Sequence, residues 1–169
     1  MTAEERRILR KIRELYGPLL DAAAKRYGHR PEVLAGIMMR ESRGGEALTP
    51  AGPAGTGDGG HGRGLMQIDD RWHKEFCAGD EWKDPEKSIL KGAEVLAGCH
   101  RYIAPRAATL HLKTPKAIER AGIAGYNCGQ GKVVQALAQG LDVDYFTTHG
   151  DYSRDVLRFA QGYQDQGAM

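Results

Sequence analysis

The sequence predicts a mainly α-helical domain, and three observations carry that expectation. Apolar residues recur at spacings of three and four through most of the chain, and alternating β-branched runs are scarce. Glycine and proline concentrate in one stretch, so only that stretch is denied regular helix. The 169 residues are read as one domain spanning 1–169, large enough to bury a core without disulfide or metal support.

In chain order, residues 3–16 form the first expected helix, with Ile8, Ile12 and Leu15 recurring among charges. Gly17-Pro18 is expected to interrupt it, because proline lacks an amide proton and its ring strikes the preceding turn. A second helix then runs to about Gly28, where glycine suits the C-terminal cap. Pro31 opens PEVLAGIMMRES, whose Val33, Leu34, Ile37 and Met38 mark a largely buried helix ended by Gly44-Gly45. From Gly44 to Gly64 there are nine glycines and two prolines in 21 residues, which predicts a long surface loop with at most a small β-hairpin. Leu65 to Asp69 is a short apolar run. Helices follow over about 84–102, 114–128, 132–139 and 151–164, with Thr114-Pro115 and Asp151 as expected starts.

Composition excludes several classes of function. Twenty-four basic against 22 acidic residues leave a net charge of +2, too even for nucleic acid as the main partner. No run approaches the roughly 18 apolar residues of a membrane span, so stable membrane insertion is not expected. The opening MTAEERRILRKIREL is interrupted by charges and does not read as a secretory signal. Cys77, Cys99 and Cys128 have no CxxC spacing and read as three reduced thiols. Gly55 to Gly60 spells GxGxxG, but a dinucleotide site needs a strand before it and a helix after it. His61 and His73 match no common ligand spacing, so neither metal nor cofactor is expected.

Glu41 is the first candidate for chemistry. It lies near the end of an apolar helix, where the helix dipole and apolar neighbours both disfavour a negative charge. Both effects would raise its pKa above about 4.3 and suit it to general-acid work. The alternative is an ordinary ion pair with Arg40 or Arg43. Asp58 and Asp69 flank the following segment, GTGDGGHGRGLMQID. Inverting glycoside hydrolysis needs one protonated carboxyl and one ionised carboxylate about 6.5–9.5 Å apart, with a water between. A turn residue for Asp58 and a helix cap for Asp69 are the plainer readings. A third cluster, AGYNCGQGKV, sets Tyr126 and Asn127 at an interhelical turn, able to hydrogen-bond a sugar or simply to cap a helix.

Taken together and in order, IMMRESRGG, GDGGHGRGLMQID, AGYNCGQGKV and TTHGDYSRDVLRFAQGYQDQG resemble the goose-type lysozyme family, and more distantly the soluble lytic transglycosylases. The resemblance covers roughly residues 15–167 and implies a single lysozyme-like α-helical domain. It implies Glu41 as general acid, Asp58 and Asp69 as the pair that positions water, and Gln67 and Met66 in the segment lining the groove. Tyr126, Asn127 and His149 are implied as substrate-binding, and the segment with Thr147, Thr148 and Tyr152 favours the goose-type branch. The implied activity is muramidase cleavage of peptidoglycan by a monomer, acting on the cell wall in the periplasm or outside the cell. Release as a phage-type endolysin, or secretion with a leader since removed, would bring it there. A lytic transglycosylase, a chitinase on N-acetylglucosamine polymers and a noncatalytic glycan-binding module are the alternatives. The glycine-rich loop is longer than in typical animal members, and Cys128 stands where a small residue such as alanine is usual.

Overall fold

A computed structural model describes residues 1–168 of the chain. It is mainly helical, as expected. Seven α-helices are described: α1 (Ala3–Tyr27), α2 (Pro31–Ser42), α3 (Lys74–Ala78), α4 (Pro85–Ile103), α5 (Pro115–Cys128), α6 (Gln130–Ala138) and α7 (Tyr152–Gly167). Short 3-10 turns at Asp58–Gly60, Glu81–Lys83, Ala104–Arg106 and Thr148–Gly150 complete the helical content. No described helix is long and apolar enough to cross a membrane. The chain groups into two compact units, Met1–Ala93 with the stretch from Arg158 onward, and Glu94–Leu157.

In the first unit α1 packs against α2. The expected break at Gly17-Pro18 does not occur: α1 is one helix with Pro18 inside it. Proline removes one backbone hydrogen bond and typically costs about 3 kcal/mol in a helix interior. The apolar stripe explains why the helix continues. Ile8, Leu9, Ile12, Tyr16, Leu20, Ala23 and Ala24 are all buried, so one face keeps its phase across the proline. Burying a large apolar side chain is worth roughly 1.5–3 kcal/mol, and several such residues outweigh one lost bond. The same phase puts Tyr16 inward and leaves Leu15 53% exposed, contrary to the sequence reading. Helix α2 is buried continuously from Val33 to Met39. It stops at Ser42, two residues before the glycines expected to end it, with Arg43 in the left-handed conformation as cap.

The glycine-rich stretch is ordered rather than structureless. Thr49 bridges Thr56, and strands β1 (Thr56–Gly57), β2 (Gly62–Arg63) and β3 (Ile68–Asp69) form an antiparallel meander in the order β1-β2-β3. Register pairs Gly57 with Gly62 and Gly62 with Asp69. The GxGxxG run therefore lies on β1 and its turn, with no helix following it. Gly64, between β2 and β3, combines φ +67° with close approach: an added Cβ would lie 2.4 Å from the Trp82 carbonyl oxygen. Left-handed strain and a backbone collision together predict that Gly64→Ala costs roughly 2–4 kcal/mol. A thermal melt indistinguishable from wild type would overturn that.

In the second unit Ile103, Ala121, Ala124, Val133 and Val143 form the apolar core, with Leu112, Cys128 and Leu137 against it. Thr114 caps α5 by accepting from the Ala117 amide at 3.1 Å, as the sequence indicated. Gly129 serves both as C-cap of α5 and N-cap of α6, so α6 begins one half-turn earlier than read from sequence.

Candidate active site

Glu41 is the penultimate residue of α2 and is half-buried. Its neighbour Ser42 is fully buried and fixes that helix end. The Ser42 hydroxyl lies 2.7 Å from the Leu65 carbonyl oxygen and accepts from the Gly45 amide at 3.2 Å. Leu65 begins the segment that ends in Asp69, so one buried hydroxyl ties the end of α2 to the turn that leads into β3 and Asp69. Arg43 lies 3.9 Å from Glu4, which pairs more closely with Arg7 at 2.8 Å.

Asp58 and Asp69 are brought together, and the agent is Arg71. The Arg71 backbone amide donates to Asp69 Oδ1 at 2.8 Å, while Nε reaches Asp69 Oδ1 at 2.9 Å and Oδ2 at 3.1 Å. Nη2 donates to Asp69 Oδ2 at 2.6 Å and to Asp58 Oδ2 at 2.9 Å. The guanidinium holds the Asp69 carboxyl below its ordinary value against the smaller, opposite pull of burial. Nothing in the sequence reading had singled out Arg71; the available signal was an arginine two residues beyond Asp69. Next door, Asp70 accepts from His61 at 2.8 Å and from Arg63 at 3.0 Å, which gives exposed His61 a structural partner.

Gln67 sits between these acids as a brace. Its Nε2 donates to the Gly64 carbonyl at 2.9 Å. A Cβ on Gly57 or on Gly62 would meet Gln67 Oε1 at 2.5 or 2.1 Å, so the paired glycines leave room for the carboxamide across the sheet. Met66, expected to line a groove, is instead 0% exposed and packs toward Gly92 of α4. Met66 lies in the turn before β3 and is buried together with Leu65, so it supports the segment from beneath. A cavity of about 620 Å³ opens beside Arg71, and Trp72, 82% exposed, stands on its lining.

In the second unit, Tyr126 and Asn127 lie in the last turn of α5 and are half-buried. Asn127 Oδ1 accepts from the Thr148 amide at 2.9 Å, and its Nδ2 donates to the Thr148 hydroxyl at 3.3 Å. That clamp holds the Thr148–Gly150 turn, whose middle residue His149 is exposed. Among the described residues five non-glycine residues have positive φ, and three of them are the candidates Asp58 (50°), Gln67 (50°) and His149 (62°). Side chains rarely adopt this conformation, so each of these turns is held by its own surroundings.

Asp144 is a residue that sequence reasoning missed. It is fully buried, and its oxygens accept from the Ser153 amide at 2.8 Å, the Ser153 hydroxyl at 2.7 Å and the Arg154 amide at 3.3 Å. Arg120 Nη2 adds a contact at 3.3 Å, and Thr147 lies 3.3 Å from the other oxygen. One carboxylate thus caps α7 and anchors the turn leading to His149. No local pattern announces it, because its donors lie nine or ten residues ahead.

The family model for lysozyme g matches residues 8–167. Lysozyme g of Struthio camelus is 37% identical over 137 residues, covering 81% of this chain and 60% of that protein. Lysozyme g of Gallus gallus is 35% identical over 141 residues, covering 81% and 58%, and that of Cyprinus carpio 32% identical over 154, covering 91% and 75%. The chain spans about 60% of the length of the bird relatives it matches. With the matched model reaching from the second turn of α1 to the end of α7, and so across every candidate residue, the chain belongs to the lysozyme g family.

Proposed function

We propose that this protein is a muramidase, hydrolysing the β-1,4 bond between N-acetylmuramic acid and N-acetylglucosamine in peptidoglycan with inversion. The observation that carries this reading is the Arg71 clamp, which gathers two carboxylates beside a segment hydrogen-bonded to the end of the helix bearing Glu41. The name of the relatives, lysozyme, supports the same substrate.

In the proposed step the Glu41 carboxyl gives its proton to the glycosidic oxygen as the bond to the anomeric carbon breaks. A water held by Asp58 and Asp69 attacks that carbon from the opposite face and gives a proton to a carboxylate. One water is consumed, Glu41 is left ionised and one aspartic acid is left protonated; exchange with solvent restores both. Tyr126, Asn127 and His149 are proposed to hydrogen-bond sugar, and the cell wall is the proposed place of action.

A lytic transglycosylase would use the substrate's own 6-hydroxyl in place of water, and a pair of clamped carboxylates would then have no water to hold. Digestion of purified peptidoglycan decides between them. The expected products carry one added water and appear first as the inverted anomer. Anhydro ends, lighter by one water, would overturn the hydrolytic reading. Chitin oligomers in the same assay show how far the muramic acid is required.

A further inference from the structure

We infer that Arg71 is the positioning residue of this site and that it divides the labour between the two aspartates: Asp69 anchors the guanidinium, and Asp58 presents an open oxygen to the water. This rests on the reading of Asp58 and Asp69 as the water-holding pair.

The hydrogen bonds are unequal. Both oxygens of Asp69 are engaged by Arg71, through Nε, Nη2 and the backbone amide. Lone pairs committed to a cation are poor proton acceptors, and the same contact holds Asp69 ionised. Asp58 meets Arg71 through Oδ2 only; its Oδ1 makes no hydrogen bond among the described residues, and the side chain is 67% exposed. That oxygen is available to order a water and accept its proton.

Asp58 also needs help to stay where it is. It has φ 50° and is followed by Gly59 and Gly60 at φ 63° and 97°, three left-handed residues in succession. Nothing in such a turn fixes a carboxylate by itself, and two ionised aspartates without a cation between them would repel. Arg71 supplies the missing constraint through a planar fork that donates to both acids at once. A lysine, a point charge on a flexible stem, could neutralise them without fixing their relative position.

A purely structural role makes a different forecast. The Arg71 side chain is 52% exposed, and exposed ion pairs contribute little to stability. Loss of Arg71 should therefore leave the melting temperature nearly unchanged while activity falls.

The test uses the full chain on purified peptidoglycan with wild type, Arg71→Gln, Arg71→Lys, Asp58→Asn, Asp69→Asn and Glu41→Gln. Arg71→Gln is expected to lose about 10²-fold in kcat, with little change in KM. The acidic limb of its pH–rate profile should move to higher pH, because Asp69 loses the guanidinium that holds its carboxyl down. Arg71→Lys should recover the limb more than the rate, and Asp58→Asn should lose more kcat than Asp69→Asn. Wild-type kcat and limb in Arg71→Gln, full recovery by lysine, or a greater loss in Asp69→Asn would each overturn the inference. Should Arg71→Gln fail to fold, the lysine variant and the comparison of the two asparagine variants still decide. Glu41→Gln separates the two levels: if it is inactive and wild type inverts while Arg71→Gln behaves as wild type, only the role of Arg71 falls. An active Glu41→Gln overturns the site reading, and this inference with it.

Discussion

Glu41→Gln is expected to lower turnover on peptidoglycan by at least about 10²-fold without disturbing the fold. The amide keeps the size and hydrogen-bonding reach of the carboxyl and removes only its transferable proton. The helix end should survive because its anchor is the neighbouring residue: Ser42 holds Leu65 and Gly45 through its own hydroxyl. Beneath it, Ile37, Met38 and Met39 are fully packed and unaffected by a change at the half-buried position. The comparison is therefore a clean one, with an unchanged melting curve beside a collapsed rate. A well-folded Glu41→Gln protein that clears cell walls at nearly the wild-type rate would remove the proposed acid and the mechanism built on it.

What could be read from sequence follows from the range of each interaction. Helix starts at Pro31 and Thr114 were legible because capping is local: a proline at the first turn and a hydroxyl three residues before its amide. The continuity of α1 through Pro18 was not, since the stripe that overrides the proline acquires its value only against α2. Asp58, Gln67 and Asp69 could be named as one segment, yet their arrangement depends on strand register. Gly57, Gly62 and Asp69 fall in one row, and the room left by the two glycines receives Gln67. Met66 illustrates the limit of naming a segment, for it lies in the turn before β3 and its burial comes from packing against α4. Arg71 and Asp144 were passed over for one reason. Each gains its meaning from partners that the folded backbone delivers.

Asp144 should matter most for stability. Its carboxylate is fully buried yet ionised: burial works against the charge, but hydrogen bonds from the Ser153 hydroxyl and amide, the Arg154 amide and Arg120 outweigh it and hold the carboxyl below its ordinary value. Asparagine at this position would remove the charge and point an NH2 group at donors already aimed inward. Breaking a buried charged network by removing one partner typically costs about 3–5 kcal/mol. For a chain of this size that is a fall in melting temperature of roughly 6–20 °C. The pH dependence follows from the direction of the shift. A carboxyl depressed in the folded state contributes fully above its unfolded pKa of about 3.9, and the contribution is lost as pH falls through the folded value. Wild type should therefore lose stability more steeply than Asp144→Asn as pH drops below about 4, and the two melting curves should converge in acid. The same carboxylate holds Thr147 and the first turn of α7, so the turn bearing His149 should loosen in the variant and its amides exchange faster. Equal melting temperatures at neutral pH, or a gap that widens rather than closes in acid, would show that this buried charge is not what secures the turn.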